Sequence, residues 1–219
     1  MAQADTMASD KPRRRRRKEA RPGELVEAGL QEFAEKGFAA ARLEDIAARA
    51  GVSKGTIYLY FSNKEALFQE VVRTHVIPII DQDEALLEGF EGPTRELIEL
   101  MIRHMYDNMV RSEMRAIVQI MLGEGPKFPK LTEFYHREVI SKGTEVLRRL
   151  IQRGVDRGEV SPTAVVDNPM VMVAPVIVAC IWKLNFDRID PMDVDAYISA
   201  HMEMVMGWLE ADRPIPPAA

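Results

Sequence analysis

Residues 42–70 read RLEDIAARAGVSKGTIYLYFSNKEALFQE, and the fold is decided there. Leu43, Ile46, Ala47 and Ala50 recur at i, i+3, i+4 and i+7, which is one face of a helix. Gly51 suits the left-handed conformation that ends such a helix tightly. Val52 is the apolar residue that pins the turn to a core. Ser53 is a good N-cap for a second helix, because its hydroxyl accepts from an otherwise unpaired backbone N–H. That helix runs over residues 54–61, with Ile57 and Phe61 four apart and facing inward. Ser62-Asn63-Lys64-Glu65 restarts a third helix as a capping box, with Ser62 at the N-cap and Glu65 at N3. Helix, tight glycine turn, helix is the arrangement that presents its second helix to a major groove of DNA.

Upstream, residues 22–36 form a supporting helix with Val26, Leu30, Phe33 and Ala34 on its apolar face and Gly37 as its stop signal. Further upstream, Lys11-Pro12-Arg13-Arg14-Arg15-Arg16-Arg17-Lys18 buries nothing, so residues 1–20 are expected to be a disordered basic arm. Such an arm either follows the duplex into a minor groove or is a solvated tail that adds only non-specific affinity.

The pattern of Phe33, Gly37-Phe38, Ile46-Ala47, Ala50-Gly51-Val52-Ser53, Lys54-Gly55-Thr56-Ile57-Tyr58, Tyr60-Phe61 and Lys64-Glu65-Ala66-Leu67 resembles the DNA-binding domain of the tetracycline-repressor (TetR) family of bacterial transcription regulators. The resemblance covers residues 21–73. It implies that Lys54 and the hydroxyls of Tyr58 and Tyr60 approach phosphates, with Gly55 allowing close approach to DNA. Ser53, Thr56 and Leu59 are then candidates for base edges, and Leu59 suits a thymine methyl. The alternative for the two tyrosines is half-buried packing with a wet hydroxyl. Lys64, at the start of the next helix, is a further phosphate candidate. The family usually places Thr or Ser just before the first helix of the motif. This chain has Ala41-Arg42-Leu43, so Arg42 is the residue left to reach a phosphate there.

Hydrophobic residues make up 47% of 219, enough for a small head and a larger second domain. No apolar run is long enough to span a membrane, and the charged start has no apolar stretch behind it, so neither a membrane partner nor a secretory signal is expected. One cysteine, Cys180, excludes an intrachain disulfide and fits a cytoplasmic location. Four histidines at 75, 104, 136 and 201 show no metal-ligand spacing, so neither metal nor cofactor is expected. No phosphate loop, nucleophile elbow or catalytic set is visible, which argues against an enzyme. The net charge of −5 conceals an asymmetry, since residues 1–75 hold 14 Lys+Arg against 11 Asp+Glu. An acidic chain with a basic head suits nucleic-acid binding at one end.

The fold class expected is all-α, with about nine helices: the head at 21–73, a helical effector-binding and dimerisation domain at 74–211, and a disordered tail at 212–219. Pro78 should kink or end the helix that leaves the head. Helices follow at 93–110 and 112–122, then a break at Gly123-Glu124-Gly125-Pro126, then a long helix at 128–157. Residues 163–186 are apolar around most of the circumference, with a kink expected at Pro175, and residues 192–209 are amphipathic.

In the resembling family the last two helices form a four-helix bundle across a homodimer, which implies contact at Val176, Ala179, Cys180, Trp182, Ile198, Met202, Val205 and Trp208. The alternative is that they complete one chain's core. The family's middle helices enclose a small apolar effector, and Met101, Met105, Met109, Met121, Phe134 and Trp182 are candidates for that pocket. Thirteen methionines fit an adaptable pocket, although a methionine stripe at helical spacing also reads as core. The expectation is a dimeric regulator, a repressor released from a palindromic operator in double-stranded DNA by an apolar effector. The alternatives are an effector-independent DNA-binding protein and, further off, an enzyme.

Overall fold

The computed structural model describes residues 11–161 and 165–209, with side chains from 22 to 208, and among these the protein is helical with no strand. Eleven α segments follow one another: α1 (Lys11–Ala40), α2 (Leu43–Arg49), α3 (Lys54–Ile57), α4 (Lys64–His75), α5 (Ile77–Gly89), α6 (Thr94–Met105), α7 (Arg115–Gly123), α8 (Pro129–Tyr135), α9 (Ser141–Asp156), α10 (Ala174–Asn185) and α11 (Val194–Leu209). Val76 keeps helical angles between α4 and α5, and a π turn at His136–Ile140 carries α8 into α9. Counted as rods, the described residues therefore make nine. Residues 1–10 of the basic arm and the tail at 212–219 lie outside the description.

The backbone departs from the sequence reading at several places. Helix begins at Lys11, inside the stretch expected to be a disordered arm. Arg and Lys are good helix formers, and a helix growing from an existing one avoids the cost of nucleation. The capping box shifts by one residue. Asn63 is the N-cap of α4, extended at φ −159°, and its side chain accepts from the Ala66 N–H at 2.8 Å. Asn caps as well as Ser, and here it displaces Ser62. Pro175 produces no kink, because α10 starts only at Ala174, with the proline in the first turn where its missing N–H is harmless. Pro78 likewise sits in the first turn of α5, after α4 has ended.

Two apolar cores meet. The head's core joins Leu25, Phe33, Phe38, Ile46, Ile57, Leu67, Phe68 and Val71, and it continues without a gap into Ile117 and Ile120 of α7 and Leu131 and Phe134 of α8. The second core gathers α5, α6, α9, α10 and α11 around Leu97, Ile98, Tyr106, Leu150 and Val176. Each such fully buried side chain contributes roughly 1.5–3 kcal/mol. Aromatic rings stack at the seam between head and large domain. Phe38 lies 5.5 Å from both Phe33 and Phe68, and 4.7 Å from Phe128 just before α8.

Gly37 breaks α1 at φ 75° and ψ 172°, a region open in practice only to glycine. A Cβ there would lie 2.6 Å from Oε1 of Glu124 at the end of α7. Gly37→Ala is expected to lower the unfolding free energy by ~1–3 kcal/mol from backbone strain alone. Urea unfolding measures it, and unchanged stability would show that this turn is not held in the folded state.

Candidate nucleic-acid interface and the cavity behind it

In the head, α2 buries Leu43, Ile46 and Ala47, and the turn through Gly51 at φ 68° swings α3 outward. Ser53 caps α3 as expected. Its hydroxyl accepts from the Thr56 N–H at 3.3 Å and lies 2.8 Å from Thr56 Oγ1, which fixes both side chains at the surface. Ile57 and Phe61 are buried beneath, while Tyr58, Leu59 and Tyr60 are exposed, Leu59 to 81%. An isolated leucine so exposed beside polar neighbours gains nothing in the free protein. A Cβ on Gly55 would meet only Ser53 Oγ at 3.9 Å, so nothing inside the protein requires glycine there. Arg42 is exposed and holds the N-cap position of α2 without a side-chain bond; Glu44 and Asp45 in the first turn complement the helix dipole instead.

Two residues, Glu44 and Lys64, have partners that the sequence reading did not assign. Glu44 faces outward between α2 and α3. Its carboxylate lies 2.8 Å from Lys54 Nζ and accepts from the Tyr58 hydroxyl at 3.2 Å. The hydrogen bond from Lys54 is the main reason that its pKa is held down at about 2. Two of the candidate phosphate ligands, Lys54 and Tyr58, are thus held by one acid in the free protein. The signal was available: with Leu43, Ile46 and Ala47 inward, Glu44 has to point out beside α3. Lys64 has partners inside the head. Its ammonium donates to the carbonyls of Phe38 and Ala39, each at 2.8 Å, and lies 4.8 Å from the centre of the Phe38 ring. That charge is committed inside the head.

The same short strap, residues 37–39, is gripped from the other side. Glu124 accepts from the Phe38 N–H at 2.9 Å and from the Ala39 N–H at 2.6 Å. Glu124 belongs to the large domain and Lys64 to the head, so one strap joins them.

Behind the seam lies a cavity of about 230 Å³, walled by α5, α6, α7, the α8–α9 rod and α10. Met101, Met105, Met109 and Met121 line it as expected. Phe134 does not: it is buried in the head's core, with the Arg73 guanidinium 5.0 Å from its ring centre. Its neighbour Tyr135 faces the cavity instead. Trp182 is also elsewhere, its indole N–H donating to the Asp190 carbonyl at 2.8 Å and its ring against Phe186. Sequence reasoning missed the α5 wall, Ile79, Ile80 and Asp83, and the joint residue Val76. Both long cavity walls carry a π turn at the cavity, Tyr106–Val110 after α6 and His136–Ile140 after α8. Such turns frequently mark functional sites.

The residues expected at a dimer contact are mostly core. Val176, Ala179, Cys180, Ile198, Met202 and Val205 are buried within the chain itself. Cys180 Sγ donates to the Met109 carbonyl at 3.3 Å, and burial pushes its thiol up to about 11, so it is an inert thiol. Only Trp208 is exposed and Trp182 partly so. The uncovered apolar stripe is the neighbouring one: Val178, Ile181 and Phe186 at and just after α10, and Met204 with Trp208 on α11. A helix that is apolar on every side does not reveal which side its own core takes.

Among the described residues no helix is long and apolar enough to cross a membrane, and no group of His, Cys, Asp and Glu is placed to hold a metal.

A helix-turn-helix head packed on a helical domain defines a class of DNA-binding regulators. Residues 25–71 match the family model described as bacterial regulatory proteins, tetR family, and residues 91–200 match the tetracyclin repressor-like C-terminal domain. The chain belongs to the TetR family of bacterial transcription regulators. Over 149 residues it is 27% identical to the HTH-type transcriptional repressor KstR2 of Mycolicibacterium smegmatis, covering 68% of this chain and 71% of the relative. In fold it is similar to a transcriptional regulator from Saccharomonospora viridis in complex with choline, with a TM-score of 0.75, 18% identity, and 88% and 98% of the two chains covered. It is similar also to FadR of Bacillus subtilis in complex with stearoyl-CoA, with a TM-score of 0.72, 20% identity, and 86% and 99% covered.

Base reading and phosphate holding are expected to separate by mutation. Thr56→Ala should lower the preference for operator over random DNA. Lys54→Ala should weaken both and flatten the dependence of log K on log salt by roughly one unit. Glu44→Gln should do the reverse of Lys54→Ala, tightening binding to random DNA. Fluorescence anisotropy across a salt series measures all three, and an unchanged slope for Lys54→Ala would remove it from the phosphate ligands.

Proposed function

We propose that the protein is a homodimeric transcriptional repressor that holds a palindromic operator until a small effector enters the cavity. The observation that carries this reading is the double duty of the cavity's walls. Ile117 belongs to the head's core and also lines the cavity, and Val76, the joint between the α4 that leaves the head and α5, lines it too. An occupant cannot displace either without moving what the head is packed on.

Pairing supplies the second half of the function. Two copies of α3 must reach major-groove faces one helical turn, ~34 Å, apart, so two heads need a fixed spacing. The stripe of Val178, Ile181, Met204 and Trp208 is the apolar surface that a second copy would cover about a two-fold axis. Repression agrees with the relative KstR2 being a transcriptional repressor.

An effector shifts the equilibrium only if it binds two arrangements with different affinity. A coupling of ~1–3 kcal/mol, or roughly 5–150-fold in affinity, is the expected size, and operator DNA must then weaken effector binding by the same factor. Titrating a bound ligand with and without operator tests this. Equal affinity in the two titrations would favour a DNA-binding protein that ignores effectors.

The dimer has its own test. Val178→Asp combined with Met204→Asp places charges on an exposed face, so helix content by circular dichroism should stay intact. Sedimentation should show monomers, and operator affinity should fall at least tenfold. A double variant that sediments as the parent would place the contact elsewhere.

A further inference from the structure

The cavity's lining narrows what can occupy it, and the argument here rests on the effector reading above. Its polar side chains are Asp83, Asn108, Tyr135 and Thr144, and its lining includes no Lys, Arg or His. Two of the four are occupied: Thr144 Oγ1 lies 3.2 Å from Met170 Sδ, and the Asn108 amide donates to the His104 carbonyl at 2.9 Å. The Tyr135 hydroxyl makes no hydrogen bond among the described residues, and burial pushes it up to about 12, so it stays neutral. Asp83 is the ionisable group at the wall. One oxygen lies 2.6 Å from His104 Nδ1, and the other makes no hydrogen bond among the described residues. Burial raises its pKa, so desolvation is already costing the carboxylate.

An anionic head entering this space would find no cation in the lining and would lie near a carboxylate already short of water, a double penalty. A donor head would instead fill the vacant oxygen of Asp83. Volume adds a second limit. A cavity of ~150 Å³ holds benzene, so by the same scale about 230 Å³ holds roughly ten non-hydrogen atoms. An eighteen-carbon chain would need roughly three times the benzene volume, about 450 Å³, or about twice what the cavity offers before its walls repack.

We propose that this cavity takes a compact, largely apolar molecule of roughly ten non-hydrogen atoms with one hydrogen-bond-donor head, an ammonium or a hydroxyl, seated at Asp83, and that it rejects carboxylates and long acyl chains. The occupant therefore differs in class from the stearoyl-CoA found with the FadR neighbour.

Four probes with one apolar body test it on the full chain: 3-phenylpropylamine, 3-phenylpropan-1-ol, 3-phenylpropanoate and propylbenzene. Dissociation constants come from calorimetry, and thermal shift gives an independent readout. The amine or the alcohol should bind at least tenfold more tightly than the carboxylate. Asp83→Asn should cut that preference at least tenfold if the head is an ammonium, and should spare the alcohol if it is a hydroxyl, since a hydroxyl can accept from the amide N–H as well as donate to its oxygen. Carboxylate binding equal to that of the amine and alcohol in the unaltered protein overturns the proposal, and that comparison stands even if the variant does not fold. Equal binding by propylbenzene and all three others overturns the head assignment but leaves the effector reading standing. Absence of binding by all four overturns both.

Discussion

Four backbone groups decide how the two halves of this protein are joined. The N–H groups of Phe38 and Ala39 point at Glu124, and the carbonyls of the same two residues point at Lys64. Every backbone polar group of those two residues is thus met by a charged side chain, and hydrogen bonds to charged groups are worth about 1.5–3 kcal/mol each against ~1 for neutral ones. Glu124 can approach only because residue 37 has no Cβ. The glycine, the acid and the lysine are a single device, and each would be an ordinary surface residue without the other two.

That device makes the boundary after residue 73 a boundary of sequence pattern, not of mechanics. The head's core passes into α7 and α8 through Ile117, Ile120, Leu131 and Phe134. α7 therefore presents Met121 and Val118 to the cavity, Ile120 to the head, and Glu124 beyond its last turn to the strap. A packed core of this kind is bistable, not continuously deformable, so a small change on one face of α7 is passed on as a change of packing on the other.

The helix-turn-helix was legible because its signals are local. Gly51 takes its positive φ and Ser53 its cap within three residues of where they stand, and Ile57 with Phe61 turn inward on a four-residue spacing. The methionines of α6 and α7 were legible for the same reason. What stayed hidden needed a partner distant in sequence. Phe134 and Tyr135 are adjacent aromatic residues on one helix; Phe134 is buried in the head's core, and Tyr135 packs against that core while also lining the cavity. Lys64 read as a phosphate ligand because nothing nearby announces that carbonyls of residues 38 and 39 await it. On α10 and α11 the composition told that all sides are apolar, but not that the stripe through Val176 and Cys180 belongs to the chain's own core and the stripe through Val178 and Ile181 does not.

The contrast between strap and cavity explains where this fold is firm and where it yields. The strap is short, polar and over-determined. The cavity is bordered by two π turns, each of which inserts an extra residue into a helical turn and pushes the following side chains out of the regular register. Helices in register pack ridge into groove and leave no void. Both π turns put residues on the cavity, Asn108 and Met109 from one and Val139 and Ile140 from the other, and methionine is the lining side chain that adapts most readily to an irregular space. The cavity is therefore a product of the backbone as much as of the side chains around it. Its walls have room to repack around an occupant, whereas Glu124 can move only by abandoning two charge-assisted hydrogen bonds. If an effector enters as proposed, the walls free to repack take up its volume, and the strap keeps the head tied to whatever packing of α7 results.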